Sequence, residues 1–322
     1  MNPMPFVEVP PLLSALRAQL RRAVVGQDEL LDEVICAFLV GGHVLVEGPP
    51  GLGKTLLILA FSRCISARFA RVQFTPDLMP SDVVGHAVYN PATGEWQIRR
   101  GPAFTNLLLA DEINRAPAKT QSALLEVMQE QQISIEGQTF PLEGPFMTLA
   151  TQNPIEHEGT YPLPEAQLDR FLLKVRVGYP SEAEELEIVR AVAVGRVGDR
   201  LDVSAVEAVM SLDQARALQR AVAAVRVAEP VLSYAVRLAR ATRDTPALTL
   251  GAGPRGAIAL TRAARGFAAL EGRDFVVPDD VKRVALPALR HRVQLAPELE
   301  IEGRGVDEAL AEVIQSVPAP RE

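Results

Sequence analysis

At 322 residues and 34.8 kDa the chain is long enough for about two domains, and a chain of this length buries roughly three quarters of its unfolded surface. Apolar residues at 48% and charged residues at 23% exclude wholesale disorder, collagen and coiled coil. The net charge of −7 weighs against nucleic acid as the principal partner.

Two cysteines, Cys36 and Cys64, are too few for a disulfide framework and have no metal-ligand spacing, so a reduced, cytoplasmic setting is expected. No apolar run approaches a membrane span, and the amino terminus lacks a basic stretch before an apolar one. Neither secretion nor membrane insertion is expected. Lysine occurs four times against 29 arginines, a skew read as codon bias.

In chain order, His43–Glu47 reads as a strand ending in glycines, followed by a helix over 54–63. Further strands are predicted at 69–74, 106–111, 146–152 and 172–177. Leu124, Val127 and Met128 recur at helical spacing in a segment opened by Pro117. Strands alternating with helices predict a parallel α/β sheet. Two stretches break that alternation. Residues 83–89 and 95–100 alternate around Asn90–Gly94, and 133–135 pairs with 139–142 around Glu136-Gly137, so two β-hairpins are expected within the core.

From about Pro180 the character changes. Acidic residues 182–187 open a helix, Ser211 and Gln214 form a capping-box pattern, and Pro230, Pro254 and Pro278 stand where first helical turns begin. Residues 1–180 are therefore expected to form the α/β core and 181–322 an all-α second domain.

Gly48-Pro49-Pro50-Gly51-Leu52-Gly53-Lys54-Thr55 matches GxxxxGK[ST] between a strand and a helix, the context in which that pattern cradles phosphate. Backbone N–H groups and the helix N-terminus attract an anion, Lys54 adds a full charge, and the Thr55 hydroxyl suits magnesium. In this composition about 10⁻³ chance matches are expected, so the pattern is specific. A guanine-reading [NT]KxD segment is absent: the residues two beyond the four lysines are Leu56, Gln121, Arg176 and Val284. ATP is favoured over GTP.

Leu107–Ala110 is an apolar strand running into Asp111 and Glu112, carboxylates that an open α/β sheet puts beside the phosphate loop. Asp111 would hold magnesium, and Glu112 would orient and deprotonate water, which makes hydrolysis the better reading than phosphoryl transfer to another acceptor. The plainer alternative is an acidic helix cap with no chemistry. Asn153, ending the fourth predicted strand, has an amide able to reach both γ-phosphate and water, though Asn-Pro is also an ordinary turn signal.

The residues resemble the MoxR branch of the AAA+ ATPases. The resemblance is carried by VVGQ (24–27), GPPGLGKT (48–55), FTPDLMPSD (74–82), ADEINRAPAKTQSALLEVMQE (110–130), ATQNPIEHEGTYPLPEAQLDRF (150–171) and GAGPRG (251–256). It implies an ASCE-type P-loop core, a helical lid, and a ring of six subunits with ATP and Mg²⁺ bound between neighbours. By that similarity Asn153 is the sensor-1 residue, Arg170 an arginine finger reaching the neighbour's ATP, and Arg255 sensor 2. Val25, Gln27 and Leu56 join the nucleotide contacts. The plain alternatives are an Arg170 paired with Asp169 and a solvated basic face shared by Arg255, Arg262 and Arg265. Departures from the pattern are Gly253, Gly256 and His157.

The hairpins resemble the helix-2 and pre-sensor-1 inserts of the clade. The single tryptophan, Trp96, suits gripping a polypeptide at a hairpin tip, or packing on its own hairpin. The four histidines show no ligand spacing, so no structural metal is expected. The leading function is an ATP-driven, chaperone-like motor acting in assembly, activation or metal insertion of a partner complex. The resemblance suggests a partner with a von Willebrand factor A domain. A nucleic-acid translocase and a nucleotide-gated scaffold are the competing classes.

Overall fold

The computed structural model describes residues 4–49, 51–153, 160–193 and 201–320. Its centre is a five-stranded parallel sheet. The strands are β1 (Val44–Glu47), β2 (Phe69–Gln73), β5 (Leu107–Asp111), β8 (Met147–Gln152) and β9 (Leu173–Arg176), in the spatial order β2-β5-β8-β1-β9. Two antiparallel hairpins complete the core: β3 (Gly85–Asn90) with β4 (Glu95–Arg100), and β6 (Gln132–Ile135) with β7 (Gln138–Pro141).

The near-continuous apolar runs arise because both sheet faces are covered. Val44, Val46, Leu107, Leu109, Met147 and Leu149 face one buried layer, which includes the Val9–Leu20 and Asp28–Leu39 helices and residues of the carboxy-terminal helices. Their neighbours Leu45, Leu108, Ala110 and Ala150 face the other, under the Ala118–Glu130 helix and the hairpins. One face also holds a fixed polar pin: fully enclosed His43 accepts from the Thr148 N–H at Nδ1 and donates from Nε2 to the Met128 carbonyl, each at 3.0 Å.

Two expectations need correction. Val83 and Val84 close a short helix, Pro80–Val84, and do not begin β3. Pro80 pre-sets its first turn, Asp82 Oδ2 accepts the Met79 N–H at 2.8 Å, and Gly85 at φ +98° ends it. The carboxy-terminal half is helical but not purely so: β10 (Leu248–Leu250) pairs with β11 (Gln294–Leu295), burying Leu248 and Leu295. Its helices include Glu182–Ala193, Leu212–Ala223, Glu229–Ala241, Pro254–Leu270 and Pro278–Leu289, and the Ser211–Gln214 capping box is formed. Among the described residues no helix is long and apolar enough to cross a membrane.

Candidate functional site

The turn after β1 and the Lys54–Cys64 helix build one wall of a cavity of about 320 Å³ at the carboxyl ends of the sheet strands. Gly53 caps the helix at φ +74°, a left-handed position open to glycine, and a side chain at Gly48 would strike the Val177 carbonyl, only 2.5 Å from its Cβ. Gly48, Gly51, Leu52, Gly53, Lys54, Thr55 and Leu56 all line the cavity. Pro49 belongs to the same turn without lining it, and Pro50 lies outside the described residues.

Lys54 Nζ donates to the Gly48 carbonyl at 2.8 Å. Burial holds its pKa below the usual lysine value, against the opposing charges of Asp111 and Glu112. Among the described residues that carbonyl is the hydrogen-bond partner the ammonium would release when phosphate arrives. Gln27 Nε2 donates to the Leu52 carbonyl at 3.0 Å, tying the amino-terminal segment to the loop, and its buried Oε1 has no partner among the described residues. Val25 is half-buried and does not line the cavity.

Opposite the loop, β5 delivers Asp111 and Glu112. Thr151, on the adjacent β8, donates its hydroxyl to Asp111 Oδ1 at 2.6 Å and accepts the Glu112 N–H at 2.8 Å. Glu112 is held at φ +55°, ψ +50°, an uncommon conformation for glutamate of the kind that gathers at functional sites. Arg71 on β2 pairs with Asp111 Oδ2 at 2.7 Å, and Glu112 Oε2 accepts from Gln73 Nε2 at 2.7 Å and Arg115 Nη1 at 2.8 Å. Asn153 lines the cavity beside Thr151 and Gln152. Residues 154–159, including His157, lie outside the described residues.

Arg71, Gln73, Arg115 and Thr151 were not among the expected site residues. The alternation of Arg71 and Gln73 on one face of β2 was the available signal. It needed the register Gln73↔Asp111, which the sequence does not state.

Arg170 and Arg255 lie elsewhere. Arg170 precedes β9, whose Leu173 is level with Val44 at the start of β1, and it lines a second cavity with Gly41, Gly42, His43 and Arg255. From that level to Gly48 the parallel strands climb roughly 13 Å at ~3.3 Å per residue. Arg170 and the phosphate loop therefore occupy opposite ends of the sheet, farther apart than an arginine side chain reaches. Asp169 pairs with Arg255 (3.3 Å) and Arg292 (2.8 Å), in place of the Arg170–Asp169 pair considered above.

Arg262 is not part of a solvated face. It is largely buried against the Asp28–Leu39 helix, donating to the Val40 carbonyl at 2.6 Å and the Gly41 carbonyl at 3.2 Å, and burial lowers its pKa. Arg265 is half-buried. Trp96 is 70% exposed near the first hairpin's tip and also meets Tyr89 edge to face, with ring centroids 5.4 Å apart.

Residues 43–173 match the family model of the ATPase family associated with various cellular activities (AAA), and 240–313 that of the AAA lid domain. An uncharacterized protein YeaC from Bacillus subtilis is 44% identical over 310 residues, 96% of this chain and 95% of that protein. The chaperone MoxR1 of Mycobacterium tuberculosis is 44% identical over 314 residues, 94% of this chain and 81% of that one. The crystal structure of a putative ATPase from Cytophaga hutchinsonii superposes with a TM-score of 0.90 at 37% identity, covering 98% of this chain and 97% of that one.

Proposed function

Because the chain belongs to the MoxR family of AAA+ ATPases, we propose that it is a ring-forming, chaperone-like motor whose ATP is cleaved only when a neighbouring subunit completes the site. The observation that carries this reading is the separation of Arg170 and Arg255 from their own phosphate loop. In the proposed ring, these two cations, suited to a developing phosphoryl charge, would meet a neighbouring copy's nucleotide.

Within one subunit, Lys54 exchanges the Gly48 carbonyl for phosphate oxygens. Thr55 and Asp111, one hydroxyl and one carboxylate on the cavity wall, fit magnesium, a cation that takes few protein ligands and relies on phosphate oxygens. That ion would neutralise charge on the transferring phosphoryl group. Glu112 orients the attacking water and takes its proton, and the Asn153 amide bridges water and γ-phosphate. Gln27, tied to the Leu52 carbonyl, and Val25 two residues before it would meet the nucleotide only where it extends past the phosphate cavity toward the amino-terminal segment.

Residues 181–322 act as the lid, and the ring is taken to hold six copies. Its client is another protein complex to be assembled, activated or loaded with metal, with a von Willebrand factor A protein as the partner. Two buried free thiols suit a reducing, cytoplasmic setting.

The test is complementation. Arg170→Ala should bind ATP but turn over poorly, as Glu112→Gln should. Mixing the two should restore hydrolysis, because intact sites then meet intact fingers. Absence of rescue at every ratio would contradict the reading.

A further inference from the structure

Arg292 follows the Pro278–Leu289 helix, and its side chain is almost wholly enclosed, at 4% exposure. Its donors converge on one short stretch of chain. Nε donates to Asp169 Oδ1 at 2.8 Å, Nη2 to the Asp169 carbonyl at 3.2 Å and the Phe171 carbonyl at 2.7 Å, and Nη1 to the Leu172 carbonyl at 3.2 Å. Nη1 also donates to the Ala288 carbonyl, anchoring the group to its own helix. Beside it, His291 Nε2 lies 3.0 Å from the Phe171 carbonyl and 2.7 Å from Arg292 Nη1; burial and the Arg292 charge push the His291 pKa well down, so the ring is neutral.

These contacts bracket Arg170 on both sides. A planar five-donor fork can hold several oxygens at once, whereas an ammonium acts as a point charge. An enclosed cation is costly without a partner, so Asp169 and Arg292 fix each other's positions. The second oxygen of Asp169 serves Arg255 differently: that contact is 3.3 Å long and Arg255 is 58% exposed, a hold that an incoming phosphate can displace.

Resting on the trans reading above, we infer that Arg292 is a positioning residue. It pins residues 169–172 to the lid, so that Arg170 is presented to the neighbouring subunit's γ-phosphate only while the lid is docked. Asp169 meanwhile holds Arg255 until that phosphate competes for it. Rotation of the lid in one subunit then disarms the finger acting on the next subunit's ATP.

Arg292→Lys keeps the charge and loses the fork. Turnover should fall at least roughly tenfold with ATP affinity near the parent value, while Tm drops by the cost of the buried hydrogen bonds that the fork alone makes. Mixed with Glu112→Gln protein, whose fingers are intact, Arg292→Lys should regain hydrolysis. Mixed with Arg170→Ala it should not, since neither chain then supplies a working finger. Rescue by Arg170→Ala would place the defect in the variant's own nucleotide site and overturn the proposal. So would failure of Glu112→Gln to rescue Arg292→Lys while it does rescue Arg170→Ala. If Arg170→Ala itself is not rescued, the trans reading falls and this proposal with it, which tells the two failures apart. Should Arg292→Lys not fold, Asp169→Asn removes the fork's charge partner and is expected in the same complementation group.

Discussion

Gln73 donates from Nε2 to Oε2 of Glu112 at 2.7 Å, across the β2–β5 register, while Arg115 donates to the same oxygen at 2.8 Å. The carboxylate that would activate water is thus parked on two side chains. Gln73→Ala removes one of them without touching the phosphate loop. Turnover at saturating ATP should rise a few-fold, with KM little changed, when phosphate release is followed. A fall below the parent rate would mean that Gln73 aims Glu112 and does not restrain it.

Lys54 bonds a backbone carbonyl that phosphate oxygens would replace. Lys54→Ala therefore removes a charge-assisted contact from the cavity and leaves the fold intact. ATP affinity by calorimetry should weaken by at least about 100-fold, some 2.7 kcal/mol. Unchanged affinity would take the nucleotide out of this cavity.

Stability should carry two opposed pH dependences. Buried Glu33 has its carboxyl pushed up to about 8 from 4.5, chiefly by burial and next by Glu29, so the folded state holds a proton that the unfolded state loses. Its contribution is complete below about pH 4.5 and is lost as pH rises through 8, on the order of 5 kcal/mol by pH 9. His43 runs the other way. Burial takes its pKa to about 4 from 6.5, so stability is lost as pH falls through that window. Glu33→Gln should keep its Tm between pH 6 and 9 while the parent loses several degrees. Parallel Tm curves for the two would show that the Glu33 carboxyl does not stay protonated on folding.

What the sequence made legible was local. The phosphate loop announces itself because glycines, lysine and threonine must sit at fixed offsets, and Asp111-Glu112 because an apolar strand runs straight into two acids. Gln138 and Ile135 pair across a two-residue turn whose Glu136 and Gly137 both take positive φ, a conformation the glycine suggests and the glutamate does not. What stayed hidden depends on strand order and on long separations. Thr151 and Gln73 reach the acids only because β8 and β2 flank β5. Arg292 meets Asp169 across 123 residues, with no periodicity to announce it. At Val83 and Val84 apolar alternation suggests a strand, but Pro80 and the Asp82 cap win locally and the backbone is helical.

The most direct measurement is turnover per chain as the protein is diluted, with assembly state followed in parallel. A site completed by a neighbour should lose activity per chain in step with loss of the assembly, and added Glu112→Gln subunits, which bring intact Arg170, should slow that decline. Constant turnover per chain from a solitary subunit would contradict it.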